Sequence, residues 1–165
     1  MTDAPSETTS VVKASRVTRA ILSAWLVAGV LDGLAASINA WVRGTSPARV
    51  FQYISSGILG AASFSGGFAT VALGIALHFL VALGAAVLFV LASLRFPILI
   101  RRAIIFGIVY GIAVYFFMSR IVVPLSAVRR SPFSLQQLVI GLVIHILCVG
   151  LPIALMTRRA LHSKP

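Results

Sequence analysis

Four long apolar segments make up most of this sequence, and they constrain its fold more than any other feature. They cover about residues 20–42, 68–94, 103–125 and 135–157, with charged residues at their ends. A helix needs roughly 20 apolar residues to cross the hydrocarbon core of a bilayer. Lipid offers no partner for an unpaired backbone group, and the segments lack the alternating polarity of barrel strands. We therefore predict an all-α, polytopic membrane protein with four transmembrane helices.

The composition agrees with this prediction and argues against other classes of protein. Of the 165 residues, 59% are hydrophobic and 10% are charged, whereas soluble domains have about 25% charged residues. We expect one four-helix domain over residues 16–159, a disordered cytoplasmic tail over residues 1–15 and a short tail over residues 160–165. The lone cysteine, Cys148, excludes an internal disulfide.

Positive charges are divided unequally between the two ends of the apolar segments. The larger set comprises Lys13, Arg16, Arg19, Arg95, Arg101, Arg102, Arg158, Arg159 and Lys164. The smaller set comprises Arg43, Arg49, Arg120, Arg129 and Arg130. The positive-inside rule then predicts that both termini are cytoplasmic. Because the net charge of +11 lies at segment ends and no nucleic-acid-binding motif accompanies it, the expected partner is the lipid bilayer and not nucleic acid.

A short amphipathic helix is predicted between the first two segments, over about residues 47–58. Ser46 can cap it and Pro47 suits its first position. Its apolar residues fall on one face and its polar residues on another: Val50, Phe51, Ile54 and Ile58 against Arg49, Gln52, Ser55 and Ser56. The helix is too short to span the membrane, so we expect it to lie in the interface, with a re-entrant position as the alternative.

Ionisable residues lie near the middle of three of the four segments. Such residues are costly at the centre of a bilayer and usually face one another or a wet cavity. Counted from the flanking arginines, Asp32 and His145 lie at the same depth and His78 about 6 Å further out. We predict that these three side chains form an intramembrane polar layer, to which Asn39 also belongs. Glycines are the candidates for close helix packing: Gly29, Gly33, Gly74, Gly107, Gly111 and Gly141.

Each member of the polar layer also has a purely structural interpretation. A hydrogen bond between Asp32 and a histidine on another helix can simply hold the helices together. Two histidines and one aspartate match many metal-ligand sets but lack a diagnostic spacing, and His78 with His145 is a weak signal for axial haem ligation. No protease, acyl-transfer or phosphate-binding motif is present. We therefore predict no catalytic residue, no metal site and no cofactor.

Several stretches of the sequence resemble a family of bacterial four-helix membrane proteins that has no established activity. They are LDGLAA around Asp32, SPARVFQYISSGILG from Ser46, FSGG from Phe64, LGIALHF through His78, YGIAVYFFM from Tyr110 and IVVPLS from Ile121. Together they extend over most of residues 20–157. The resemblance implies a multi-pass location in the bacterial inner membrane, and it supplies no catalytic residue.

The leading functional hypothesis is a non-enzymatic membrane protein whose polar layer supports proton-linked transport or permeation of a small solute. A carboxylate beside histidines in a low dielectric can exchange protons near neutral pH. Four helices leave little room for a pathway, so a homo-oligomer is a further expectation. The alternatives are a structural or assembly protein, in which the layer sets helix register, and a b-type haem electron carrier.

Overall fold

The computed structural model describes residues 4–128 and 134–162, and describes the backbone alone for residues 4–13. Eight α-helices lie in these ranges: α1 (Ala4–Val42), α2 (Pro47–Leu59), α3 (Gly67–Arg95), α4 (Ile98–Arg101), α5 (Ala103–Phe117), α6 (Val123–Leu125), α7 (Leu135–Ile144) and α8 (Leu151–His162). A 3₁₀ turn, Gly60–Phe64, follows α2, and π-helical turns join α5 to α6 and α7 to α8. Over these ranges the chain contains no strand, and the prediction of an all-α fold is confirmed.

Four helical stretches are long and apolar enough to cross a membrane. They are span 1 (Ala14–Val42), span 2 (Gly67–Arg95), span 3 (Ala103–Leu125) and span 4 (Leu135–His162). The helix of span 1 extends back to Ala4, so residues 4–15 are helical in the structure, although we expected them to be disordered. No glycine or proline lies between Pro5 and Gly29, and Pro5 itself occupies the first turn, where proline is tolerated. Arg129, Arg130 and Lys164 lie outside the described residues.

The interior of the bundle is rich in alanine, with a few larger side chains such as Phe89, Val90 and Ile153, and most large apolar side chains lie outside. Ala20, Ala24, Ala28, Ala86 and Ala154 are buried. Large apolar residues, in contrast, are exposed along all four spans, for example Leu26, Leu80, Ile104 and Leu147. Small residues let helix backbones approach closely, whereas a lipid-facing surface has no need of polar groups. This distribution is the one expected of a helical bundle surrounded by lipid.

Span 1 packs against span 2 on one side and span 4 on the other, and span 3 packs against span 4. Spans 3 and 4 approach each other closely where glycines meet. A Cβ added at Gly111 would lie 2.6 Å from the carbonyl oxygen of His145, and one added at Gly150 would meet the backbone of Gly107 and Gly111. Spans 2 and 3 do not close on each other along their length, and a groove of about 530 Å³ lies between them.

Each π-helical turn lies just before a proline. Met118–Val122 precedes Pro124, and His145–Gly150 precedes Pro152. Proline has no backbone N–H and its ring collides with the carbonyl four residues earlier, so the preceding turn must widen or kink. π turns inside α-helices occur frequently at functional sites. Met118 and His145 are the first residues of the π turns in spans 3 and 4.

The amphipathic helix α2 is present, but its polar face is turned toward the protein. Ser55, Ser56 and Gln52 are buried, whereas Ile58 is 63% exposed and Leu59 42% exposed. The serine hydroxyls donate to carbonyls of their own helix, Ser55 to Gln52 at 2.9 Å and Ser56 to Tyr53 at 2.6 Å. Ser46 occupies the N-cap position, but its side chain makes no capping hydrogen bond. An interfacial helix would instead present its polar face to water.

Candidate functional site around Asp32 and His78

Two side chains hold spans 1 and 2 together by donating to backbone carbonyls in opposite directions. The indole Nε1 of Trp25 on span 1 donates to the carbonyl of Phe79 on span 2 at 2.7 Å. His78 on span 2 lies 2.8 Å, through Nε2, from the carbonyl oxygen of Gly29 on span 1. Because a carbonyl oxygen only accepts, Nε2 of His78 must carry a hydrogen. Trp25 and Gly29 are one helical turn apart, so the two bonds reinforce each other.

Two glycines on span 1 make room for this arrangement. A Cβ added at Gly33 would lie 3.2 Å from Nε2 of His78, and one at Gly29 would lie 2.7 Å from Cε1 of Phe79. Trp25 and His78 both meet the Phe79 ring edge-on, with centroids 6.1 and 5.4 Å apart respectively. The two glycines therefore leave space on span 1, and the rings of His78 and Phe79 occupy that space.

The second nitrogen of His78 faces a carboxylate. Nδ1 lies 3.9 Å from Oδ2 of Asp32, and the side chains are 10% and 21% exposed for His78 and Asp32 respectively. Since Nε2 already carries a hydrogen, a neutral imidazole would direct the lone pair of Nδ1 at the carboxylate. The lone pair and the negatively charged carboxylate would repel each other. One proton on either Nδ1 or the carboxyl group removes this repulsion. The geometry therefore allows the pair to share one proton.

Asp32 and His78 line a cavity of about 220 Å³ inside the bundle, and His145 lines it from span 4. The rest of the lining is apolar and includes Ile54, Ala82, Val114 and Met118. Nothing else in that lining carries a charge, so the cavity contains one carboxylate and two imidazoles in apolar surroundings. Its polar chemistry is limited to moving protons and to binding a charged or hydrogen-bonding group.

His145 has a different local environment from His78. Its Nδ1 lies 2.9 Å from the carbonyl of Gly141, one turn earlier on the same helix, so Nδ1 carries the hydrogen and Nε2 is the acceptor in the neutral ring. Tyr115 on span 3 meets the imidazole edge-on, with ring centroids 5.3 Å apart. A Cβ at Gly141 would lie 2.5 Å from the Tyr115 ring. Gly141 thus makes room for the ring that supports His145.

The structure brings Asp32, His78 and His145 to one cavity and leaves Asn39 out of its lining. The backbone carbonyl of Asn39 accepts from Nε of Arg43 at 3.4 Å. All six predicted packing glycines lie against another element: Gly74, for example, would meet the Phe51 backbone of α2 if it carried a Cβ. Among the described residues, no three His, Cys, Asp or Glu side chains are grouped as a metal site.

The apolar lining residues were not predicted as site residues, among them Ile54 on α2 and Met118 on span 3. Pro124 is the signal that could have drawn attention to Met118, because a proline within a span widens the helix before it. No comparable signal marks Ile54, since the sequence does not show how deep α2 lies.

Comparison with protein-family models, with curated proteins and with solved structures found no match to this chain. The function is therefore argued from the geometry of the cavity.

Proposed function

We propose that the chain is a multi-pass membrane protein that couples the movement of a small solute to protons through the Asp32–His78 pair. The observation that carries this proposal is the 3.9 Å approach of Nδ1 to the carboxylate while Nε2 is committed to Gly29. A pair that shares one proton can release it when a cationic or hydrogen-bonding group takes its place. The surrounding apolar wall strengthens such an exchange because charges are poorly screened there.

The cavity supports this role because its polar groups come from three different spans. Asp32, His78 and His145 belong to spans 1, 2 and 4, and the widened turn that begins at His145 packs against Gly111 of span 3. A change of protonation at the pair therefore acts on contacts between helices. Transport requires such a coupling between the occupancy of a site and the arrangement of the helices around it.

We infer further that the protein lies in the bacterial inner membrane with both termini in the cytoplasm, and that α2 is re-entrant. The bias of arginine and lysine supports the orientation. For α2 the support is its buried polar face together with Ile54 in the cavity lining and Phe51 beside His78, with ring centroids 6.2 Å apart. Reporter enzymes fused to each terminus test the orientation, and activity of either one on the periplasmic side contradicts it.

An infrared titration of the protein in lipid tests the shared proton directly. A protonated carboxylic acid has a carbonyl absorption that a carboxylate lacks, and Asp32 is the one acidic residue after Glu7. We expect a pH-dependent acid band that is absent from Asp32→Asn and altered in its pH response in His78→Gln. An Asp32→Asn spectrum that titrates like the wild type would contradict the proposal.

Transport is tested in proteoliposomes that contain a pH-sensitive dye. Outward and inward gradients of organic cations, organic anions and neutral solutes are imposed in turn, with Asp32→Asn protein as the matched control. At least one gradient should drive proton movement faster with the wild type than with the variant. Equal rates for every solute class would rule out coupled transport through this pair.

A structural role for the polar layer is the second candidate, and one observation favours it. His78 donates to a backbone carbonyl of span 1, which by itself stabilises the packing of spans 1 and 2. His78→Gln separates the two candidates, because the amide nitrogen of glutamine can still donate to Gly29 but cannot replace Nδ1. If this variant is stable and fully active, the layer is structural. The geometry does not favour axial haem ligation, because Asp32 faces the remaining nitrogen of His78.

A further inference from the structure

The groove between spans 2 and 3 adjoins the cavity that contains Asp32. Val81, Ala85, Val114 and Met118 line both of them, so these side chains lie between the two spaces. The outer rim of the groove includes Leu88, Phe117 and Gly84, all of which are exposed on the surface of the bundle. A molecule dissolved in the membrane could therefore reach the carboxylate sideways, without passing through either aqueous face.

The two spaces differ in chemistry and in size. The groove measures about 530 Å³ and its lining side chains are apolar, apart from the Tyr110 hydroxyl, which donates to the carbonyl of Ala85 at 2.7 Å. The adjoining cavity measures about 220 Å³ and contains the carboxylate. An apolar chain fits the first space and a small polar headgroup fits the second. The complementary ligand is therefore an amphiphile.

Charge decides which kind of amphiphile the site would accept. Asp32 is the one acidic side chain in the cavity, and no arginine or lysine lines either space. Three titratable groups face Asp32. They are His78 on span 2 and two residues of the π turn of span 4, His145 and Cys148. The thiol of Cys148 is within electrostatic reach of Asp32. α2 and α5 contribute only apolar side chains there, Ile54 and Val114. A headgroup with one positive charge is complementary to this set.

We propose that the solute of this site is an amphiphilic monocation, such as a long-chain amine or quaternary ammonium compound, which enters from the lipid through the groove. This proposal rests on the proposed function and names its substrate class. On binding, the cationic head pairs with the Asp32 carboxylate, the proton shared with His78 leaves to water, and His78 is left neutral. One positive charge replaces another, so the net charge of the cavity does not change.

Gly84 offers a way to block the groove without disturbing the helices. A Cβ placed there meets no atom within 4 Å, so a larger side chain can extend into the groove from an otherwise unchanged helix. Gly84→Leu should exclude part of the apolar chain of a ligand. Leu91→Phe is the matched control, because Leu91 is 52% exposed on the same helix but does not line the groove.

The binding experiment uses the full chain in nanodiscs of phosphatidylcholine, with radiolabelled dodecyltrimethylammonium below its micellar concentration. Empty discs and Asp32→Asn discs give the lipid background. We expect saturable binding of one cation per chain and release of about one proton, both lost in Asp32→Asn. Gly84→Leu should weaken binding about tenfold, because the leucine side chain overpacks the groove against the apolar chain of the ligand. Leu91→Phe should bind like the wild type.

Three results would overturn this inference. The first is saturable binding that survives in Asp32→Asn, and the second is equal binding of dodecyl sulfate or of tetramethylammonium, which lacks the apolar chain. The third is a Gly84→Leu variant that changes oligomeric state but not affinity, which would make the groove a contact between copies of this chain.

If binding and proton release are observed but no flux occurs in proteoliposomes, the substrate class stands and transport does not. If other solutes drive proton flux and the amphiphile does not bind, the proposed function stands and this inference fails.

Discussion

His78 contacts two groups of span 1 at once: Nε2 donates to the carbonyl of Gly29 at 2.8 Å, and Nδ1 faces Asp32 at 3.9 Å. The first contact fixes the orientation and the tautomer of the ring. The second places the remaining nitrogen against a carboxylate in apolar surroundings. A single residue therefore combines a structural bond with a protonation site, and substitutions can separate the two roles.

Gly29→Ala should destabilise the contact between spans 1 and 2 by about 1–3 kcal/mol, the usual range for overpacking. Its Cβ would lie 2.7 Å from the Phe79 ring, which is held between Trp25 and His78. The free energy of unfolding in mixed detergent micelles gives the measurement. Gly84→Ala is the control: its Cβ has open space, and the gain in helix propensity should make it neutral or stabilising by up to about 1 kcal/mol. Equal effects of the two variants would contradict the packing described here.

Gly150→Ala should be more damaging than Gly29→Ala, because its Cβ would meet the backbone of Gly107 and Gly111 and not a side chain. A backbone cannot rotate away, so spans 3 and 4 must move apart. We expect a loss of more than about 3 kcal/mol in unfolding free energy or failure to accumulate in the membrane, in contrast to Gly84→Ala. Introduced cysteines at Ala103 and Ala154, both buried, should become reactive to maleimide in Gly150→Ala if the variant accumulates. A variant as stable as Gly84→Ala would refute this close approach.

Trp25→Phe should cost about 0.6 kcal/mol, the average for interhelical hydrogen bonds in membrane double-mutant cycles. It removes the 2.7 Å bond to the carbonyl of Phe79 and keeps an aromatic ring against Phe79. The same unfolding measurement applies. Combined with His78→Ala, the loss should be smaller than the sum of the separate losses if the two bonds reinforce each other, because each single substitution already weakens the other bond. Simple additivity would show that they act independently.

The position of α2 is tested by cysteine labelling in a background in which Cys148 is replaced by alanine. Ser55→Cys should resist a membrane-impermeant maleimide, because Ser55 is fully buried, whereas Arg49→Cys at the exposed start of the helix should react. Gly74→Ala, which would meet the Phe51 backbone, should displace α2 and expose Ser55→Cys. Rapid labelling of Ser55→Cys in otherwise intact protein would place the polar face in water, as an interfacial helix requires.

Composition and periodicity were sufficient to predict the all-α fold and the four spans, because the length of an apolar run is set by the membrane and not by neighbouring helices. The expected convergence of Asp32, His78 and His145 also followed from their depth along each run. Other features depended on how the helices pack. Sequence alone did not show that the polar face of α2 is buried, because amphipathicity defines two faces without saying what covers each. Nor did it show that Asn39 lies outside the cavity lining.

Tertiary structure alone decided the relationships on which the proposed function depends. One such relationship is the orientation of His78 between Gly29 and Asp32. Others are the cavity, which Met118 and His145 line from two spans, and the groove between spans 2 and 3. All of them arise from contacts between helices that are distant in sequence. Hydrophobicity determines that a segment enters lipid, but all four segments share it, so it cannot select which faces meet. The shapes of glycines, aromatic rings and prolines make that selection, and their effect exists only once the helices are in contact.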